Sequence, residues 1–404
     1  DAPDSDRLQR CQLSIVGVKL QPGQKAKLKD IIRVFLQIGA TSFGSPTAHI
    51  AMMESEIVRK RKWLTSERFL ELLAATHLVP GPNATELALH IGYLQAGYAG
   101  LLAAGASFIL PSFLATIALA WVYTRYGSLP QVDAIFYALN PLVLAIVINT
   151  VWNLGKSCLK TWQTWLIFGL ALGASLWGVS ELLVLFAAAL LGYVLLDLIK
   201  RPPKTPAALL AFFPFPLVAR FFQQGSDWLH SRVAQLFLYF LRTGAVLFGS
   251  ALVLFPLIRE DVVNRFGWMT QQQLIDAIAV GQMTPGPVTS AVTFIGYTVG
   301  GLPGAFAATI GVFLPSFLIV TAMGPLMKKL AESEVAKAVL EGVNAGVVAL
   351  VITIAITMAK NAIVDVWTGL LLAAGLAGLF LLKLTPYWLV LAGFVVGLAK
   401  VLFF

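Results

Sequence analysis

Two stretches of the chain, LVPGPNATEL at Leu78–Leu87 and MTPGPVTSAV at Met283–Val292, place hydrogen-bond donors directly after a Pro-Gly-Pro. Proline removes a backbone donor and clashes with the preceding turn, and glycine opens conformations closed to other residues, so a helix must stop and restart at each motif. A restarting helix presents unpaired N–H groups and the positive end of its dipole, which together suit an anion. Asn83 and Thr85 follow the first break, and Thr289 and Ser290 the second, while Gly81 and Gly286 let a ligand approach the backbone. The plain alternative is a pair of kinks whose hydroxyls bond back to their own helices.

Other polar residues could add charge to such a site. Arg242 lies inside the apolar run Ala234–Ile258, with Gln37 as its counterpart. It could attract an oxyanion or pair with a carboxylate. Glu71 and Asp276 occupy equivalent places, each nine residues before the first Pro of its motif. They could take up protons for coupling or serve as structural partners, and Glu86, which has no acidic counterpart, has the same two readings. His77, matched by Gln282, is a further candidate lining residue. Ser45 and Ser250 close two Gly-rich elements, Gly39–Ser45 and Gly244–Ser250, where a second helix or a substrate could come close. Lys156 and Lys360 sit at the ends of matched helices, where snorkelling to the interface is expected. Cys11 and Cys158 are too few for a disulfide framework, and the four histidines lack metal-ligand spacing, so neither a metal nor a cofactor is expected.

The elements that hold these residues must lie in a membrane. Of 404 residues, 58% are hydrophobic and 12% charged, and the mean hydropathy is +0.80. Apolar runs such as Leu101–Tyr123, Gln131–Val151, Leu166–Leu198, Ala234–Ile258, Gly304–Met323, Ala338–Met358, Trp367–Leu382 and Tyr387–Phe404 are near the roughly 20 residues that cross a bilayer as a helix. Leu166–Leu198 suffices for two, broken near Gly178. Barrel strands would instead alternate over about 10 residues, so the expected fold is an all-α polytopic bundle. The net charge of +9 sits in short basic loops, among them Arg59–Lys62 and Lys200–Lys204, as topogenic charge does. Nucleic acid is not an expected partner. Residue 1 is Asp, and no secretory signal is evident before the first apolar run.

The chain is also a duplication. FLQIGATSFGS at Phe35–Ser45 matches FLRTGAVLFGS at Phe240–Ser250, and Trp63 and Pro80 match Trp268 and Pro285, all at an offset of 205. Beyond the Pro-Gly-Pro the offset is 204: Thr85 matches Thr289, and LPSFL at Leu110–Leu114 matches Leu314–Leu318. Asn140 and Lys156 land on Asn344 and Lys360. The expected organisation is an N-terminal extension (1–30), a first repeat (31–199), a basic Pro-rich linker with an interfacial aromatic segment (200–233) and a second repeat (234–404). The basic loop Arg59–Lys62 corresponds to a nearly neutral region in the second half, while the Lys328-Lys329 loop has a weakly charged counterpart. That exchange predicts an inverted repeat with an odd number of crossings per half. The basic segment Lys25–Arg33 fits this poorly.

Taken together, the paired Phe-Gly-Ser elements, the Trp-Leu/Met-Thr steps and the two Pro-Gly-Pro motifs resemble the long-chain, two-domain chromate ion transporter family, over roughly Ile31–Phe404. That family often has Phe-Gly-Gly where this chain has Phe43-Gly-Ser and Phe248-Gly-Ser, a departure that bears on helix packing or site size. The resemblance implies an inner-membrane protein that exports chromate and confers resistance to it, with sulfate as the look-alike. The expected partners are chromate, sulfate and the lipid bilayer; pairing as a homodimer is left open. A sulfate or other oxyanion importer and a passive anion channel are the competing readings, and an enzyme reading finds no flavin, haem or metal motif.

Overall fold

The computed structural model describes residues 27–42, 46–76, 81–126, 130–198, 231–247, 254–323 and 333–403. Ser45, Ser250, His77, Pro80, Cys11, the Lys328-Lys329 pair and nearly all of the extension and linker lie outside the described residues. Within them the first half forms α1 (Leu28–Thr41), α2 (Pro46–Met53, running on as a π-helix to Lys60), α3 (Ser66–Thr76), α4 (Asn83–Tyr126), α5 (Pro130–Cys158), α6 (Trp162–Leu176) and α7 (Glu181–Gly192, with a π-helical end to Leu198). The second half repeats this order as α8 (Arg232–Val246), α9 (Leu254–Arg259, π-helical to Arg265), α10 (Gln271–Met283), α11 (Ala291–Met323, entered through a 3-10 turn at Val288–Ser290), α12 (Glu334–Ala362), α13 (Val366–Phe380) and α14 (Pro386–Phe403).

α4 and α11 are hairpins rather than rods. Ala96 and Gly97 leave helical geometry, Gly97 with φ +61°, and Gly300 and Gly301 do the same in the second half. Gly92 and Gly100 then face each other so closely that a Cβ on either would collide with the other's carbonyl, as Gly296 and Gly304 also do. Residues eight apart on one straight helix would lie about 12 Å apart along the axis; here they touch because the chain has reversed. The first arm, Asn83–Gln95, spans about 20 Å of helix, against the roughly 30 Å of a hydrocarbon core. The arm is therefore too short to cross a bilayer by itself.

Four stretches are long and apolar enough to cross a membrane: Asn83–Tyr126, Asp133–Cys158, Val288–Ala322 and Glu334–Ala362. Two expectations from the apolar runs are corrected. Ala234–Ile258 is not one crossing helix, since α8 ends at Val246 and α9 begins at Leu254. The Leu166–Leu198 run divides into two helices at Gly178, as expected, but α6 and α13 fall short of full span because local signals cut them. Capping boxes at Thr161 and Asp365 fix two starts, and Gly178 (φ +85°) and Lys383 (φ +53°) turn the chain. Fifteen residues of α6 or α13 reach about 22 Å. Asp365, outside the spanning segments, is held below the usual carboxylate range chiefly by the Tyr137 hydroxyl, which donates to it at 2.5 Å from the other half.

These short hairpins pack across the halves. Gly192 of α7 lies on Ala338 and Gly342 of α12, and Gly397 of α14 lies on Ala134 and Ile135 of α5. Leu142, Ala145 and Ile146 of α5 cluster with Leu379 and Leu389, while Ile167 and Ala188 cluster with Ala345. Each half thereby completes the other's core.

Gly92→Ala is expected to lower stability in detergent by about 1–3 kcal/mol through the forced backbone shift, read as a lower thermal midpoint. Gly173→Ala, where nothing lies within 4 Å of the added carbon, is expected to change stability by less than about 0.5 kcal/mol.

Candidate functional site

The two breaks meet across the duplication. The Gly81 N–H donates to the Leu247 carbonyl at 2.5 Å, and the Gly286 N–H donates to the Ser42 carbonyl at 2.8 Å. Ser42 and Leu247 end the equivalent helices α1 and α8, so each half's break is tied to the unwound end of the other half's first helix. The reciprocity is that of an isologous two-fold contact. Gly81 (φ +150°) and Gly286 (φ +91°) hold conformations that a side chain would strain. Close packing brings α1 and α8 into place: Gly39 sits on the Phe108 backbone and Gly244 on that of Val312. The Gly-rich elements thus serve helix packing at these positions.

Hydroxyls gather at the breaks. The repeated LPSFL supplies Ser112 on the second arm of α4 and Ser316 on that of α11. Ser112 donates to Ser290 of the other half at 2.6 Å, with Thr116 and Thr284 each 3.5 Å from the same oxygen. Ser316 and the Glu86 carboxylate converge on Gly81, where an added Cβ would strike both. Thr85 and Thr289 are fully buried, and neither hydroxyl finds a hydrogen-bond partner among the described residues. Asn83, also buried, opens the first arm of α4. His49 of α2 is buried edge-on against Phe108, with its ring beside the backbone of Ser42 and Gly286. Buried polar groups of this kind are costly at membrane depth unless something engages them.

The structure therefore brings Gly81, Asn83, Thr85 and Glu86 to one break and Gly286, Thr289 and Ser290 to the other. Arg242 lies on the last turns of α8, ahead of Leu247, within electrostatic reach of Arg265. The sequence-equivalent acids part company. Glu71 is exposed and paired with Arg68 at 2.6 Å, whereas Asp276 is buried and accepts from Tyr123 at 2.8 Å, Gln272 at 2.9 Å and Asn140 at 3.4 Å. Asp276 lies on a polar cavity of about 230 Å³ shared with Asp133 and Tyr137. Lys156 stacks over Trp152, 4.8 Å from the ring centroid. Sequence reasoning passed over Ser112, Ser316 and His49. The LPSFL repeat was the available signal for the serines, but only the folded arrangement shows that each serves the opposite half.

The family model of the chromate transporter matches residues 29–193 and again 234–398. The chain belongs to the chromate transporter family. It is similar to the chromate transport protein of Cupriavidus metallidurans, 34% identical over 370 residues that cover 91% of each chain. The probable chromate transport protein of Synechococcus elongatus is 32% identical over 85% of this chain and 88% of its own. The chromate transport protein of Pseudomonas aeruginosa is 33% identical over 86% of both. No solved structure matches the chain. As a chromate transporter family member with several apolar spans, the chain is a multi-pass membrane protein of two homologous halves, and both family matches contain a break.

Contact between the halves through Ser112 and Ser290 is measurable by a double-mutant cycle. Ser112→Ala and Ser290→Ala are expected to couple by about 0.5–1.5 kcal/mol in thermal stability. Additivity within roughly 0.3 kcal/mol would mean that the two hydroxyls do not interact.

Proposed function

We propose that this protein exports chromate across the cell inner membrane and so confers chromate resistance, holding the dianion between the two breaks in an alternating-access cycle. The observation that carries this reading is the pairing of two helix starts, each with buried donors, in a chain of this family. Donors converging on a helix start suit a tetrahedral oxyanion, and the named relatives carry chromate in their names. In this reading Asn83, Thr85, Thr289 and Ser290 donate hydrogen bonds, and Gly81 and Gly286 admit the anion to the backbone. Arg242 adds positive charge, and Ser45 and Ser250 extend the lining. Sulfate, nearly the same shape, competes. Glu71, Asp276 and Glu86 are the candidate coupling groups, of which Glu71 has the surface position least suited to the task.

The two repeats (31–199 and 234–404) insert with opposite orientations in this reading, which their exchange of basic loops supports. Discontinuous helices meeting near the midplane are the arrangement by which inverted-repeat transporters bind substrate. Moving two negative charges outward across an inside-negative membrane is favoured by about 4.6 kcal/mol per 100 mV, twice the single-charge value.

Everted membrane vesicles carrying the protein are expected to take up labelled chromate saturably, with stimulation by an imposed potential and inhibition by sulfate. Non-saturating flux without exchange would favour a channel, and sulfate accumulation in right-side-out vesicles would favour an importer. Thr289→Val is expected to raise the half-saturating chromate concentration about tenfold, one hydrogen bond to a charged group being worth roughly 1.5 kcal/mol or more. Arg242→Gln is expected to abolish uptake while the protein stays in the membrane; retained uptake would remove Arg242 from the site.

A further inference from the structure

The two breaks differ in one place that matters. Under the 204 offset, Ser290 of the second half corresponds to Glu86 of the first, and Ser112 corresponds to Ser316. At the second break these positions form the closed hydroxyl contact Ser112–Ser290. At the first, Ser316 and the Glu86 carboxylate both lie against Gly81 without bonding to each other. Glu86 is 0% exposed, both of its oxygens lack a hydrogen-bond partner among the described residues, and so does the Ser316 hydroxyl. The backbone offers it little: Pro82 has no N–H, and the Gly81 N–H is already given to Leu247. Glu86 is therefore not a helix cap, and its carboxyl group lies against the glycine through which the helix start is reached.

We propose that the oxyanion site spanning the two breaks includes a proton site at the first, with Glu86 taking up a proton as the oxyanion binds. This rests on the oxyanion reading above. A bare carboxylate and a dianion cannot share one desolvated pocket, since like charges at close range exclude each other. The proton comes from the aqueous phase and sits on a Glu86 oxygen, so binding a dianion adds a net charge of one negative unit rather than two. The protonated acid then becomes a donor, as Ser290 is at the other break.

Other ionisable groups surround the arm that bears Glu86. His90 lies one turn further along it, with Arg68, Glu67 and Glu71 on α3 beyond. His49 is on α2, Lys29, Asp30 and Arg33 are in the first turns of α1, Asp276 is on α10, and Arg242 is near the end of α8. The described part of α11 carries no ionisable side chain but Tyr297. Asp276 and His49 are the rivals for the same proton, and both can be replaced separately.

The experiment measures equilibrium chromate binding to the purified full chain across alkaline pH, where chromate stays a dianion, with proton uptake followed by an indicator dye in weak buffer. The wild type is expected to take up one proton per chromate and to lose affinity up to tenfold per pH unit. Glu86→Gln is expected to bind chromate with no proton uptake and a flat pH profile. Asp276→Asn and His49→Gln are expected to retain the proton uptake, whatever change in chromate affinity they bring. Proton uptake of zero in the wild type, which needs no variant, overturns the inference. So does a pH profile that survives in Glu86→Gln or vanishes instead in Asp276→Asn or His49→Gln. Wild-type protein that binds neither chromate nor sulfate at any pH overturns the oxyanion reading itself, and the inference with it.

Discussion

Two backbone hydrogen bonds organise the molecule: Gly81 to the Leu247 carbonyl and Gly286 to the Ser42 carbonyl. In the hydrocarbon of a bilayer no water waits to satisfy a freed N–H, so a helix can break only where protein or a watery cavity supplies the partner. Here the acceptor comes from the other half. α1 and α8 must end where they do, so that their terminal carbonyls reach across. Both must also lie close enough to do so, which Gly39 and Gly244 permit by seating on the facing arms. The hairpin reversals at Gly97 and Gly301 then fold each short first arm back against its second.

The same constraint concentrates polarity at the centre. Ser112 and Ser316 sit on helices that also carry Pro111 and Pro315, and each Pro leaves a carbonyl one turn back without its helical donor. Serines, threonines, a histidine and a glutamate are buried there together. Away from the breaks, apart from the cluster of Asp276 with Tyr123, Asn140 and Gln272, aliphatic side chains and small residues fill the helix crossings. The contrast between a plain apolar frame and a polar seam is what sets the breaks apart as a site.

Much of this was legible in the residues. The repeat gave the two halves, Pro-Gly-Pro gave the breaks, and hydropathy gave a helical membrane protein. The apolar runs misled where hydropathy alone was counted, because a capping box or a positive-φ residue bounds a helix without changing its hydrophobicity; Asp365 and Lys383 did this, whereas the break at Gly178 was expected. Glu71 and Asp276 are equivalent by position, yet one faces outward beside Arg68 and the other is enclosed by Tyr123, Asn140 and Gln272. Equivalence in sequence fixes a place on a helix, not the neighbours that the opposite half brings. The serines of LPSFL were missed for the same reason, since the Ser112 contact spans 178 residues of chain and Ser316 likewise reaches the other half.

The exchange of short hairpins, α6–α7 onto α12 and α13–α14 onto α5, bears on how such a chain is made and how it arose. A first half leaving the ribosome has no α12 to receive its own hairpin, and must wait in the lipid until nearly the whole of the second half has been synthesised. The finished fold is in effect a dimer whose two subunits share one reading frame. Joining them fixes the ratio at one to one, and it frees each copy to change without its twin: a mutation in a true homodimer appears twice, whereas a glutamate can stand in one half of this chain while the other keeps a serine.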